Sequence, residues 1–194
     1  MLIDMDGIAK PDFEKIVRHD VPANALGFTG TRKGWTVEQA YSAEYAIERL
    51  RKEFLWMHNG DCIGSDAQAA HLWQSNGGFI YLHPQMIETK RAFIQADQTG
   101  LPLSYLERDE IIISLSSCLL VTPGEMTEQF RIGVWSTVRY ARKSGISIVF
   151  INPDGSLFHE LSSRKSFGFI ASDSPIYREL CSGDWQHPTA SGHG

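Results

Sequence analysis

Ala25-Leu26-Gly27-Phe28-Thr29 is a short apolar run that stops at Gly30-Thr31-Arg32, and Thr36 follows with Gln39 behind it. The run reads as a buried strand that ends in a glycine turn. Thr36 and Gln39 form a capping-box signal, in which each side chain satisfies a backbone N–H that the first helical turn leaves open. Ala40, Ala43, Ile47, Leu50 and Phe54 then recur at steps of three and four, the spacing of an amphipathic helix. This strand–turn–helix unit decides the fold, because the chain repeats it.

Phe54 to His58 is a second apolar run, broken at Asn59-Gly60-Asp61. Ser65 or Asp66 can cap a helix through Trp73 that ends at Asn76-Gly77. Phe79 to Leu82 is the third strand, stopped by His83-Pro84. A helix is expected from about Met86 to Asp97, closed by Gly100. Ser104 with Glu107 makes a second capping box and opens a helix through about Leu115. Cys118 to Val121 is the fourth strand, broken by Thr122-Pro123-Gly124. A helix from about Val134 to Lys143 carries Arg139, Arg142 and Lys143 toward its C-terminal end, where cations suit the dipole, and stops at Gly145. Ile146 to Ile151 is the fifth strand. After the Asn152-Pro153-Asp154-Gly155 turn, Ser156 to His159 suits a short edge strand. Apolar strands alternating with helices imply a mainly parallel sheet covered on both faces, a Rossmann-like α/β three-layer sandwich.

Composition agrees with one folded domain. The chain has 194 residues, 42% of them hydrophobic, which is enough for a real core. Residues 1–22 read as a lead-in, with one or two helical turns over Asp12 to Arg18. Residues 23–160 read as the domain and 161–194 as a partly irregular extension. Lys and Arg number 18 against 23 Asp and Glu, for a net charge of -5. That balance argues against a nucleic-acid coat, which needs cations to displace counterions. Cys62, Cys118 and Cys181 are odd in number and widely spaced, so neither a disulfide framework nor a zinc site is expected. Met1 to Asp20 has no continuous hydrophobic region and does not read as a signal peptide. No run is long enough to span a bilayer. The expectation is a cytoplasmic protein with no membrane partner, no metal and no cofactor.

In open α/β sheets, ligands bind beyond the carboxyl ends of the strands. Those loops hold Thr29-Gly30-Thr31-Arg32, then Gly60-Asp61 and Gly64-Ser65-Asp66, then His83, then Pro123-Gly124-Glu125, and Arg131 just before a helix. Glycines let backbone amides approach an anion, and hydroxyls add donors. Gly133-Val134-Trp135-Ser136-Thr137 at a helix start reads as a phosphate cradle. Arg32, Arg108 and Arg131 offer forked positive charge, and Trp35 or Trp135 a surface for a base. Plainer readings stay open beside these. Asp66 also suits a cap, His83 and Trp135 a structural place, and Arg108 an ion pair with its acidic neighbours. The chain has no GxxxxGK[ST], GxGxxG, GxSxG or HExxH pattern.

Gly27-Phe28-Thr29-Gly30-Thr31-Arg32, His58 to Asp66 and His83-Pro84 together resemble the SLOG superfamily. It gathers the DprA/Smf DNA-processing proteins, the lonely-guy phosphoribohydrolases and nucleotide-sensing domains. Small stand-alone members carry a pattern like RN…P…R-x-GGTW-x-T-x-R-x-AR. It is similar here to Arg108-Asp109, Pro123 and the run from Arg131 to Arg142, and the resemblance covers about residues 24 to 155. It implies a Rossmann-like domain that holds a nucleotide or nucleotide derivative against the first glycine loop and the Gly133 to Thr137 helix start, in a homo-oligomer. The lonely-guy motif PGGxGTxxE, aligned on Thr137, puts Tyr140 where its glutamate stands. A phenol supplies no carboxylate to stabilise a sugar cation, so binding without that turnover is expected. The alternative is a hydrolase or (deoxy)ribosyltransferase acting on a nucleotide N-glycosidic bond, with Asp61, Asp66 or Glu125 as the candidate catalytic carboxylate and Arg32 or Arg131 as the phosphate clamp. A DprA-type role on single-stranded DNA is weaker, because no basic stripe is present.

Overall fold

β1 (Ala25–Gly30) lies at the centre of a seven-stranded sheet in a computed structural model that describes residues 24–130 and 132–161. α1 (Val37–Glu53) follows β1, and its Thr36–Gln39 capping box is formed in both directions. β2 (Trp56–Asn59), α2 (Ser65–Ser75) and β3 (Phe79–Leu82) come next. A two-residue strand, β4 (Gln98–Thr99), precedes α3 (Tyr105–Ser114), which opens on the Ser104–Glu107 box. β5 (Cys118–Thr122), α4 (Gly133–Ser144), β6 (Ser147–Ile151) and β7 (Leu157–Glu160) complete the described chain. Gly145 ends α4 in the left-handed region, where glycine has no side-chain penalty. The lead-in at 1–22 and residues 162–194 of the extension lie outside the described residues, with Cys181 and the Asp12 to Arg18 turns.

The strand order is β4-β3-β2-β1-β5-β6-β7, parallel except for the antiparallel β6–β7 edge. The chain therefore runs outward from β1 in one direction and resumes from β5 in the other. The crevice at such a reversal, between β1 and β5, is where open α/β sheets place their ligands. One face of the sheet is covered by α1 and α2, whose Ile47, Leu50 and Trp73 pack on Leu26, Met57, Ile80 and Leu120. The other is covered by α3 and α4, whose Ile113, Val138 and Ala141 pack on Leu119, Val121, Ile148 and Phe150. Consecutive residues of β5 serve opposite layers. That explains why its run is apolar without alternation.

Two local expectations are corrected. Residues 86–97 form no α-helix. They make a single 3-10 turn at Glu88–Lys90 and then run irregularly to β4. The buried Asp61 takes this segment's donors instead, because its carboxylate accepts from Ile94 N at 3.0 Å and from Arg91 Nε at 2.6 Å. Its carbonyl accepts from Ala92 N at 2.9 Å. Nor does Ser65 or Asp66 cap α2. Gly64 holds that place at φ 88 with no side-chain cap. A Cβ there would strike the Arg32 backbone, so the glycine lets the β1 loop lie against the helix start.

Candidate functional site

A cavity of about 570 Å³ opens at the β1–β5 crevice. Its floor comes from the end of β1, with Phe28, Thr29, Gly30 and Thr31. Thr31 N donates to Thr122 O at 2.9 Å, and Ser65 N donates to Thr31 O at 3.0 Å. The first glycine loop is thereby tied to β5 on one side and to α2 on the other. The start of α4, Gly133 and Val134, closes the wall opposite. Ser136 N donates to Ile132 O, as a first helical turn requires, and no side chain caps the N–H groups before it. An uncapped helix start carries partial positive charge.

Arg108 organises the inner end. Its guanidinium donates to Asp109 Oδ1 from Nε at 3.2 Å and from Nη2 at 2.9 Å, and from Nη1 to Gly60 O at 3.1 Å and Cys62 Sγ at 3.3 Å. The absence of a Gly60 side chain permits this approach, because a Cβ would lie 3.2 Å from Arg108 Cζ. Asp109 also accepts from Thr137 Oγ1 at 2.7 Å. The Tyr105 ring stacks over Arg108, 5.0 Å from Cζ to centroid, and its hydroxyl end abuts Gly133. Burial opposes the guanidinium charge, but Asp109, Cys62 and Asp66 outweigh it and hold Arg108 above its usual pKa. Burial pushes the Asp66 carboxyl up to about 6, against the pull of Arg108. Burial, with Asp66 beside it, pushes the Cys62 thiol up to about 11, and burial likewise raises Tyr105.

The outer end differs. Arg32, Lys33 and Lys90 line the mouth, and among the described residues their side chains make no hydrogen bond or ion pair. Ile87, Ile112 and Ile132 supply apolar walls, and Glu125 a carboxylate.

Ten of the expected residues line this cavity: Thr29, Gly30, Thr31, Arg32 and Gly60 among them, with Asp66, Arg108, Glu125, Gly133 and Val134. The others have different work. Asp61 is fully buried and spends its carboxylate on Arg91 and Ile94. Gly64 and Ser65 shape the start of α2. Pro123 O accepts from Gln39 Nε2 at 2.8 Å, and Gly124 backs onto Thr31. Trp135 is buried in the second core, stacked on Phe150 at 6.0 Å, and Trp35 packs on the first, so neither indole lines the cavity. Thr137 does not line it and reaches it through Asp109 and Tyr105. Ser136 is half-buried on α4 and does not line it. Arg131 lies outside the described residues.

His83 pairs with His58, Nδ1 of His58 lying 2.8 Å from Nε2 of His83 in a buried cluster with Tyr81. Sequence reasoning missed Lys33, Cys62, Gln85, Lys90, Tyr105 and Asp109 as lining residues. Asp109 and Tyr105 had a weak signal, as neighbours of Arg108 one position and one helical turn away. Lys90 had none, because the segment that carries it was read as a helix.

The histidine pair makes stability pH-dependent. Burial lowers His58 to about 4, and burial with the charges of His58 and Arg108 lowers His83 well below its usual value. Between pH 6.5 and 4 the unfolded chain binds protons that the folded histidines refuse. Stability is therefore lost as pH falls through that window, by an amount on the order of 3 kcal/mol for His58. The half-buried His159, lowered to about 4 chiefly by burial, acts the same way. Asp66 acts oppositely: its raised pKa favours the folded state at low pH, and that gain fades as pH rises through about 6. Urea unfolding at several pH values should show the histidine loss dominating, and His58→Leu should flatten the curve. A profile that rises on acidification would show that the pair is not neutral in the fold.

Three solved structures are similar in their chain path. One is the molybdenum cofactor binding protein of Rippkaea orientalis, at 16% identity and TM-score 0.52, covering 66% of this chain and 76% of that one. Another is the Moco Carrier Protein of Chlamydomonas reinhardtii, at 14% identity and TM-score 0.52, covering 82% and 85%. DNA processing protein A of Streptococcus pneumoniae, at 19% identity, TM-score 0.48 and coverage of 66% and 50%, is a more distant likeness. The fold is Rossmann-like. No family model and no curated protein sequence matches the chain. The Rossmann-like fold agrees with the expectation from the alternating strands and helices. No described helix is long and apolar enough to cross a membrane.

Proposed function

We propose that this protein binds a nucleotide or nucleotide-derived ligand in the cavity between the first glycine loop and the start of α4, without lonely-guy-type turnover. One observation carries the reading: Gly30-Thr31-Arg32 and Gly133-Val134, about a hundred residues apart in the chain, line one cavity with Tyr105 between apolar walls. Backbone amides and hydroxyls suit a phosphate there, and the aromatic and isoleucine walls suit a flat heterocycle. Tyr140, which stands where lonely-guy enzymes carry glutamate, packs against the second core and does not line the cavity. A homo-oligomer in the cytoplasm remains part of the proposal.

Asp66 favours a second reading. A buried carboxyl that titrates near 6 at a cavity wall is what general acid catalysis at an N-glycosidic bond would use. Glu125 lines the same cavity, whereas Asp61 is committed to Arg91. The molybdenum cofactor named for two structures of like fold belongs in any ligand panel.

Incubation with nucleotides, dinucleotides and that cofactor, followed by melting temperature and by chromatography, tests both readings. A binder gives a melting shift with the ligand recovered intact. At 100 times its dissociation constant a ligand adds about 2.7 kcal/mol of stability. Release of free base, abolished by Asp66→Asn, establishes the enzyme reading instead. Absence of a shift with every compound removes both.

A further inference from the structure

Arg32, Lys33 and Lys90 are held at the backbone, and among the described residues their side chains make no hydrogen bond or ion pair. Lys90 O accepts from Ile63 N at 3.2 Å and from Gln85 Nε2 at 3.0 Å. Lys33 N donates to Thr31 Oγ1 at 3.3 Å, and the Arg32 backbone packs on Gly64. The fourth cation of the cavity, Arg108, has its donors occupied by Asp109, Gly60 and Cys62. A chain of net charge -5 thus concentrates three cations around one mouth, without ion-pair partners among the described residues, and Glu125 lines the same cavity.

The strand order spreads these charges. Lys90 is tied to the loop after β2, whereas α4 follows β5, which lies two places along the sheet with β1 between them. At ~4.8 Å per strand step those strand ends are about 10 Å apart. One phosphate does not span that distance. Resting on the nucleotide reading above, we infer that the ligand carries two separated phosphate groups. One sits at the open start of α4, and the other meets Lys90 together with Arg32 and Lys33. The chemical class is a nucleoside bisphosphate with its phosphates on two different ribose hydroxyls, in preference to a nucleoside monophosphate or diphosphate.

Calorimetric titration of the full chain with AMP, ADP and adenosine 3′,5′-bisphosphate, their guanosine counterparts, and inorganic phosphate and pyrophosphate tests this. The bisphosphate should bind about tenfold or more tightly than the monophosphate, since a charged hydrogen-bonded contact is gained. Lys90→Gln should erase most of that advantage, lower bisphosphate affinity more than monophosphate affinity, and leave melting temperature unchanged, because the Lys90 side chain makes no hydrogen bond or ion pair among the described residues. Equal affinity for monophosphate and bisphosphate overturns the inference while upholding the nucleotide reading. So does a gain with ADP alone, which would put the second group beside the first. Equal weakening of both ligands by Lys90→Gln overturns it too. Failure of every probe, pyrophosphate included, removes the nucleotide reading and this inference together.

Discussion

Arg108→Met should destabilise the fold by about 3–5 kcal/mol, the cost of stranding one member of a buried ion pair. The Arg108 and Asp109 side chains are only 5% and 9% exposed, so water does not replace the lost partner. Asp109 would keep the Thr137 hydroxyl as its donor, and the Gly60 carbonyl would lose Nη1. The Asp66 carboxyl, already pushed up by burial, would lose the charge that restrains it. The double variant Arg108→Met/Asp109→Leu should recover most of the loss, because removing both charges removes the uncompensated one. Thr137 can then turn to Gly133 O, 3.2 Å away. Chemical denaturation of the three proteins decides the matter. A single variant within about 1 kcal/mol of the parent would show that the pair is not buried as described. A practical consequence is that weak ligand binding by Arg108 variants reports on folding first and on phosphate contact second.

Asp61→Ala should cost about 3 kcal/mol, toward the low end of the same range. The aspartate is fully buried, whereas the Arg91 side chain is 17% exposed and can swing toward water once released. The Ile94 N–H cannot, and an unsatisfied buried donor is the larger part of the penalty. Asp61 also sits at φ 58, a left-handed conformation that aspartate and asparagine tolerate better than alanine. Asp61→Asn separates these effects. It retains the backbone preference and an oxygen for Ile94, and loses the charge opposite Arg91, so it should fall between parent and alanine. Equal stability of all three would sink the view that this side chain holds the 86–97 segment in place. Because Lys90 lies within that segment, Asp61→Ala should also weaken whatever the cavity mouth binds, without Asp61 touching it.

The sheet and its helices were legible because local signals agreed with the final fold. Thr36–Gln39 and Ser104–Glu107 cap helices through contacts three residues apart, which any chain segment can form for itself. The apolar runs of β1, β5 and β6 follow from burial on both faces. The 86–97 error has a distant cause. The segment's helical spacing is outbid by a single carboxylate about thirty residues earlier, and no window of local sequence contains both partners. Trp135 shows the same limit, since helix periodicity allowed it to face either the second core or the cavity.

Residue types and their spacing were thus enough to determine a wound parallel sheet, the rim where small polar residues gather, and the glycine loop and helix start on it. Which side chains on that rim are free to meet a ligand was settled only in three dimensions. Arg108 and Arg32 carry equal charge in the sequence, yet burial gives Arg108 internal partners, whereas the exposed Arg32 has none among the described residues. The reason is physical: a charge removed from water must find its counter-charge within the protein, and that partner is chosen by packing rather than by proximity along the chain.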